Sequence, residues 1–583
     1  MIDVSAKLNA AQQLAAAGRL DQARASLMRA LQQHPGHPDL SNGMALILMA
    51  QGQPEQALYH AQRAAAARPD DPILLTNVGS CLGMLRRNDE AEAPLRRALS
   101  LAPTLASARQ GLANILRVRG EYTAAAEQLE EALKVRPDDP GLASLYAAVL
   151  TNLARVADSV AFARSFLSRR PDLMLASMWA NAMTYHAGAE PAEVFQAHVA
   201  YGKLLERATP APVPHGNDRA AERALNIGVL SHELRRHAVA TFLEPWLIGR
   251  DRARFRITCY ATSPIEDEVT TRLRAAADRW RSVVDQPDAA IAAQIRRDGV
   301  DILVDTTGLT QGHRMGVLAM KPAPVQAMFI GYLNTTGVRT VDWRIVDGFT
   351  DPAGAEATSV ERLWRLEPTY LCYSPAGDAP EPGPPPSLST GRITFGSFNS
   401  AAKINRPLIE LWARVLAAVP ESRLVLKAFD FTDARLREDL SARFAAAGVE
   451  PTRVLVEPPT LGAFLAQYHR IDIGLDTLPF NGTTTTMDAL WMGVPVVTLA
   501  GRMHAGRTGV SILSTLGLPE LIARTPEGYV EAAAGLARDP ARLTELRSSL
   551  RGRIAGSPLR DGAGYARKID AALRGMWQAW AAG

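Results

Sequence analysis

The pentapeptide RPDDP stands at Arg68–Pro72 and again at Arg136–Pro140, sixty-eight residues apart. A proline also marks every half step, so that Pro35, Pro69, Pro103, Pro137 and Pro171 recur at intervals of thirty-four. A strict period of that length is the signature of stacked, similar supersecondary units. In the same register small residues recur: Ala23, Ala57, Ala91 and Ala125, then seven positions on Ala30, Ala64, Ala98 and Ala132. Seven residues are two helical turns, so each pair shares one face and lets a second helix approach closely. Gly18, Gly52 and Gly120 fall where the two helices of a unit meet and suit a left-handed residue ending the first, whereas Arg86 and Ala154 break that pattern. Within RPDDP the first Pro stops one helix, the second Asp caps the next, and the second Pro suits a first helical position.

This pattern resembles the tetratricopeptide repeat over about residues 1–172. The fifth unit is degenerate, with Ser159 and Phe166 where the two alanines belong, as expected of a terminal repeat. The recurring Ala, Gly and Pro build scaffold, and the variable groove-facing side chains predict a peptide or protein partner.

At 583 residues the chain is too long for one hydrophobic core. Its 47% hydrophobic and 21% charged content is that of ordinary globular proteins. The net charge of +4 is spread without a Lys/Arg block, which argues against nucleic acid as a partner. Cys81, Cys259 and Cys372 form no CxxC or Cys/His spacing, which argues against a disulfide framework and a structural zinc, and fits a reducing cytoplasm. The N-terminus lacks a charged segment before an apolar stretch, and no apolar run reaches membrane-spanning length, so a soluble cytoplasmic protein with no membrane partner is expected. The sequence leaves the oligomeric state open.

Residues 173–216 read as a helical transition and linker ending in the Pro-rich TPAPVPHG at Thr209–Gly216. Beyond it, short β-branched runs (NIGVL, FRITCYA, RSVVD, DILVD, VQAMFIG, WRIVD) alternate with helical segments over 217–373, the pattern of buried parallel strands. A Pro-rich linker at 374–389 precedes a second alternating set (RITFGSF, SRLVLKA, TRVLVE, DIGLD, VPVVTLA) in 390–583, where terminal helices follow. The expected fold is therefore α plus α/β: a helical solenoid, then two Rossmann-like lobes with a ligand cleft at the carboxyl ends of their strands.

The stretch LDTLPFNGTTTTMDALWMGVPVV, Leu475–Val497, runs from a strand through Gly482 and four threonines into a helix expected to start near Met487. Backbone N–H groups, hydroxyls and a positive helix end converge there on an anion, although a run of Thr also serves as a plain N-cap. Lys403 sits in the loop after the first strand of the second lobe, where an ammonium can neutralise a departing phosphate. His232 and His237 follow the first strand of the first lobe without metal-ligand spacing, and His237, at a helix start, is placed to hydrogen-bond a sugar hydroxyl or phosphate. The loop Gly331–Gly337, with Tyr332, Asn334, Thr335 and Thr336, is a second candidate contact for sugar or acceptor. Asp305, ending DILVD, is either a base facing the cleft or a turn-capping carboxylate.

The segments RRHAVATFLE, KPAPVQAMFIGYLNTTG, FGSFNSAAKI, LDTLPFNGTTTTMDALWMGVPVVTLAG and SPLRDGAGYARKIDAALRGMW, in this order behind the repeats, resemble the protein O-glycosyltransferases of the O-GlcNAc transferase and SPINDLY type. The resemblance implies a two-lobed GT-B region and a metal-independent, inverting transfer from a nucleotide sugar, a co-substrate rather than a cofactor, to a protein Ser or Thr. It implies phosphate binding by Lys403, Thr484 and Thr485, a ribose contact by Asp488, and an active-site role for His237, with Asn481, Gly482 and Thr483 completing the donor loop. His237 and Asp305 are both candidates for the base. The chain contains no Asp-x-Asp pair. It departs from the family where Thr483 replaces the histidine of Asn-Gly-His-Thr-Thr, and where PPTLGAFLAQYHRID lacks the Lys and His that UDP-GlcNAc enzymes use around the nucleotide. The donor is thereby left between UDP-GlcNAc and a CMP-linked nonulosonic acid, and bacterial flagellin is a candidate acceptor. The alternative from another class is an adaptor whose GT-B region has lapsed.

Overall fold

The computed structural model describes residues 4–460, 462 and 464–583. The chain divides into two compact units between Leu150 and Thr151.

In the first unit the repeat punctuation works as its chemistry dictates. One helix ends at Ala67, and the Asp71 side chain then caps Pro72–Met84 by accepting from Ile73 N at 3.0 Å and Leu74 N at 3.3 Å. Asp139 does the same for Pro140–Asn152, accepting from Gly141 N at 2.9 Å and Leu142 N at 3.1 Å. All eight register alanines are buried. The turn glycines Gly18, Gly52 and Gly120 have φ of 72°, 68° and 81°, and the two exceptions adopt the same left-handed backbone, Arg86 at 57° and Ala154 at 56°. The turn geometry is kept where glycine is not, at a steric cost of roughly 1–2 kcal/mol for a residue with a Cβ.

The division into compact units at 150 falls within the repeat array, which is expected to run to 172. The helices Val156–Arg169, Leu173–Tyr185 and Pro191–Ala208 belong to the second unit because Val156, Val160, Ala180, Met183, Val194, Ala197 and Tyr201 share one buried cluster with Leu230, Tyr260, Leu303 and Met315 of the first lobe. The approach is close enough that a Cβ on Gly202 would lie 1.8 Å from Gly337 O. The helical part of the segment read as transition and linker is thus core, whereas 209–216, the Pro-rich part, is irregular and mostly exposed.

Among the described residues each lobe holds one wholly parallel sheet. The first orders β1 (Leu225–Ser231), β2 (Phe255–Ala261), β3 (Arg279–Ser282), β4 (Ile302–Asp305), β5 (Val325–Phe329), β6 (Trp343–Val346) and β7 (Arg362–Arg365) as β3-β2-β1-β4-β5-β6-β7. The second orders β8 (Thr394–Ser397), β9 (Arg423–Lys427), β10 (Val454–Glu457), β11 (Ile473–Leu475), β12 (Val496–Leu499) and β13 (Ile522–Ala523) as β10-β9-β8-β11-β12-β13. The edge strands β7 and β13 are absent from the sequence reading. RLWR carries two arginines and pairs on one side only, and β13 has two residues, so neither shows the apolar run of a buried strand.

The last helix, Gly562–Ala581, also departs from the expected boundaries, because it packs on the first lobe. Asp570 accepts from Trp246 Nε1 at 3.2 Å and from Asp251 N at 2.9 Å, and Trp577 Nε1 donates to Ala220 O at 3.2 Å. Among the described residues no helix is long and apolar enough to cross a membrane.

Two outcomes follow. Arg86 is exposed, so Arg86→Gly should raise stability in urea by about 0.5–1 kcal/mol, the relief of the left-handed strain less the added chain entropy. A chain of residues 151–583 should unfold cooperatively, whereas one beginning at 210, which lacks the core side chains of three helices, should be insoluble or molten by near-UV circular dichroism.

Candidate functional site

The loop between β11 and the helix Thr484–Trp491 is built around a buried carboxylate. Asp476 Oδ1 accepts from Gly482 N at 2.7 Å and Thr477 N at 2.9 Å, and Oδ2 accepts from Thr498 Oγ1 at 2.7 Å. Burial raises its pKa to about 6 against these donors and the nearby Lys403. Gly482 is required on steric grounds, since a Cβ there would lie 2.5 Å from Thr485 Oγ1 and 2.7 Å from Thr486 Oγ1. Asn481 is wholly buried and closes the turn: its Nδ2 donates to Thr477 O at 2.7 Å, its N donates to Ala505 O at 2.7 Å, and its Oδ1 accepts from Gly509 N at 3.3 Å.

The helix begins at Thr484, one turn earlier than the start expected near Met487. Its first intrahelical bond runs from Met487 N to Thr483 O, so the N–H groups of Thr484, Thr485 and Thr486 precede the ladder and carry the positive helix end. Lys403 faces this terminus. Its Nζ donates to Asn481 O at 2.8 Å and to Asn399 Oδ1 at 3.0 Å, and stands 4.7 Å from the centre of the Phe480 ring. Thr485 Oγ1 donates to the same Asn399 oxygen at 3.1 Å. Burial brings the Lys403 pKa down to about 8, with Asp476 pulling the other way.

These groups form one wall of a cleft of about 240 Å³ whose lining includes Lys403, Phe480, Thr483, Thr484 and Thr485 from the second lobe. His237, Phe242, Thr310, Gly331, Tyr332 and Leu333 line it from the first lobe, and Asn181 and Tyr185 from the helix Leu173–Tyr185. His237 is the N-cap of Ala238–Gly249, and its Nδ1 accepts from Val239 N at 3.3 Å. A ring nitrogen that accepts leaves the proton on Nε2, so His237 presents a donor. Burial, then Arg235 and His232, lower its pKa to about 4, which keeps the ring neutral.

The structure thus brings together His237, Gly331, Tyr332, Lys403, Thr483, Thr484 and Thr485, with Asn481 and Gly482 behind them. Other expected residues lie outside the lining. Asp305 is 0% exposed, and its Oδ2 caps a turn by accepting from Gly308 N at 2.7 Å, so of the two readings the capping one holds. Burial, aided by the Glu233 carboxylate, raises its pKa to about 8. Thr335 and Thr336 turn inward to Glu361, whose oxygens accept from their hydroxyls at 2.6 and 2.5 Å, while Asn334 Nδ2 donates to Thr184 Oγ1 at 3.3 Å. Asp488 accepts from Tyr373 OH at 2.6 Å, and burial raises its pKa to about 6. His232 is held by Thr262 and is not part of the lining either. The segment PPTLGAFLAQYHRID includes Leu461 and Ala463, which lie outside the described residues. Among the described residues no group of three or more His, Cys, Asp or Glu is placed to hold a metal ion.

A buried polar seam joins the lobes behind the Thr477–Gly482 turn. His504 Nδ1 meets Asp351 Oδ2 at 2.5 Å, His504 Nε2 meets Tyr370 OH at 3.0 Å, and Ser511 Oγ donates to Asp347 Oδ2 at 2.5 Å. Burial alone would raise the Asp351 pKa, but His504 and Arg344 beside it hold it below the usual carboxylate range. His504 and Ser511 flank Ala505 and Gly509, the backbone groups that grip Asn481. The sequence reading missed this seam, along with Asp476, Asn399, Phe480, Asn181 and Tyr185. Only Asp476 and Asn399, just past the carboxyl ends of their strands, carried a positional signal.

Residues 204–374 and 386–569 match the family described as glycosyl transferase family 41, and residues 14–76 and 111–173 match tetratricopeptide repeats. Over 408 residues the chain is 39% identical to the probable UDP-N-acetylglucosamine–peptide N-acetylglucosaminyltransferase SPINDLY of Solanum lycopersicum, covering 69% of this chain and 44% of that relative. A second relative, the probable UDP-N-acetylglucosamine–peptide N-acetylglucosaminyltransferase SEC of Arabidopsis thaliana, is 28% identical over 380 residues, or 63% of this chain and 38% of its own. The chain spans less than half the length of these curated relatives. A solved point mutant of the Thermobaculum terrenum O-GlcNAc transferase superposes with a TM-score of 0.82 at 34% identity, covering 88% of this chain and 98% of that one. With that match extending over both lobes, and with its own repeats preceding them in sequence, the chain belongs to glycosyl transferase family 41.

Proposed function

We propose that the chain transfers a sugar from a nucleotide donor to a Ser or Thr hydroxyl of a protein held by the repeats. The observation that carries this reading is the convergence of the Lys403 ammonium and the Thr484 helix start on one cleft wall, with the His237 donor across from them. Negative charge grows on the leaving phosphate as the anomeric C–O bond breaks, and fixed donors aimed at that charge stabilise the transition state more than the ground state. Lys403 and the helix end supply positive charge where a cation would otherwise be needed, which supports metal independence.

The acceptor oxygen forms the new bond to the anomeric carbon while the old bond's electron pair leaves with the phosphate. Among the described residues the lining carries no carboxylate to form a glycosyl-enzyme intermediate, which supports a single displacement with inversion. His237 is a hydrogen-bond donor and Asp305 is sealed in the core, so the hydroxyl's proton passes to the donor's own phosphate oxygens. The relatives' names support a UDP-GlcNAc donor, while Thr483 in place of the family histidine supports a wider choice that includes CMP-nonulosonates. Flagellin is the acceptor to try first.

Two measurements test this. Competition of UDP-GlcNAc, CMP-nonulosonate and GDP-sugar donors on the full chain should show at least one bound and turned over, with UDP-GlcNAc not favoured by the margin that several charged contacts of ~1.5–3 kcal/mol each would give. No binding by any of them would leave the adaptor reading. Lys403→Ala should lower kcat/KM by ~10²–10³. Because kcat/KM reports the free enzyme, wild-type kcat/KM should fall as pH rises through about 8, where the buried ammonium loses its proton, and Lys403→Arg should abolish that limb. A flat wild-type profile from about pH 7 to 10 would assign the phosphate role elsewhere.

A further inference from the structure

The helix Leu173–Tyr185 carries three polar side chains at i, i+4 and i+7: Ser177, Asn181 and Thr184. Such positions share one helix face. The outer two are taken up by the first lobe, since His313 Nε2 and Ser177 Oγ are 3.2 Å apart and Asn334 Nδ2 donates to Thr184 Oγ1 at 3.3 Å. The middle one is not: Asn181 lines the cleft, and its Oδ1 is buried without a hydrogen-bond partner in the protein. One turn further on, Tyr185 stacks on Phe480 with ring centres 4.4 Å apart and planes 8° from parallel. Phe480 is the ring that carries Lys403 Nζ, so the helix is keyed directly to the phosphate-binding ammonium. Across the same cleft Thr483 Oγ1 is likewise buried and unpaired.

Two buried polar atoms without protein partners in one cleft are costly to folding and point to a ligand that satisfies them. The ligand's chemistry follows from position. Asn181 stands one helical turn, roughly 5–6 Å, from Tyr185 and lines the same cleft as Lys403 and Thr484, so it faces the space that a group attached to a phosphate held there would enter. An amide offers an acceptor and a pair of donors together, the combination that reads neighbouring hydroxyl groups. On the reading that this cleft takes a nucleotide sugar, we infer that Asn181, with Thr483 opposite, binds the hydroxyls of the glycosyl group. The helix before the two lobes thereby sets sugar specificity, with Tyr185 and the flanking Ser177 and Thr184 bonds as its positioning residues.

The test uses the full chain with Asn181→Ala and Asn181→Leu, and compares the affinity of each intact nucleotide sugar with that of its free nucleotide (UDP-GlcNAc with UDP, a GDP-sugar with GDP, a CMP-nonulosonate with CMP). Asn181 has no bond to lose in the protein, so melting temperatures should stay at wild type. Each variant should lose about tenfold or more in affinity for the sugar that the wild type binds, with the free nucleotide unchanged. Equal losses for both ligands, or no loss for either, overturn the inference. So does a rise confined to the acceptor's KM at saturating donor, which would make Asn181 an acceptor contact. If the wild type binds no nucleotide sugar, the parent reading falls and this one with it. If it does bind and the variants bind as well, only this one falls.

Discussion

Asp476 is the group on which the site depends. It sits just past a three-residue strand in the middle of the second sheet, and its carboxylate accepts the N–H groups of both ends of the turn from Thr477 to Gly482. Burying a carboxylate is unfavourable unless its lone pairs are filled, and here two amides and the Thr498 hydroxyl fill them. With the turn fixed, the Asn481 carbonyl has a fixed position, and that carbonyl is what Lys403 donates to. The ammonium is therefore positioned by a backbone oxygen held by a buried side chain. Its own stem is long and flexible, and without that oxygen and Asn399 it would have no reason to point into the cleft.

The same turn is gripped from the other side. Ala505 O and Gly509 N hold Asn481, and that segment is fastened to the first lobe through His504, Asp351 and Tyr370 and through Ser511 and Asp347. The C-terminal helix adds a second tie when it crosses back to Trp246 and Asp251. Two lobes that meet only through a linker are free to hinge. Here buried hydrogen bonds of charged groups span them, and such bonds cannot be broken one partner at a time without stranding a charge in the interior. The Lys403 wall and the His237 wall of the cleft are thus held at a set separation, as the preorganised electrostatics of the proposed transfer would require.

The sequence was legible wherever one local rule decided the outcome. The period of thirty-four, the Asp71 and Asp139 caps and the parallel strands of both lobes are local patterns, and all are visible in the chain before folding. So were Lys403, His237 and the threonine loop, because each lies at the carboxyl end of a strand where parallel sheets place ligands. Legibility failed where two distant elements decide. Thr335 and Thr336 looked like ligand contacts until Glu361, twenty-six and twenty-five residues further on, claimed both hydroxyls. Asp305 fits a base or a cap equally well by sequence, and burial chose the cap. The glycine rule also failed at Arg86 and Ala154, where the turn's geometry is imposed by the packing of the repeat and the residue conforms to it.

The helix Leu173–Tyr185 shows why a boundary drawn from composition misplaces function. Its apolar side chains, among them Leu175, Ala180 and Met183, read as a helical transition after the array, with nothing in the sequence to say what they pack against. What separates it is the identity of its partner: the face that another repeat would cover is covered by the first lobe, down to the contact between Gly202 and Gly337 in the helix and loop that follow it. Once that face is committed to the lobe, the helix's remaining polar row has to meet either water or the cleft. Ser177 and Thr184 are paired with lobe residues, and Asn181 between them is in the cleft lining. The helix therefore belongs to the second unit, and its side chains answer to the cleft lining as much as to the packing against the first lobe.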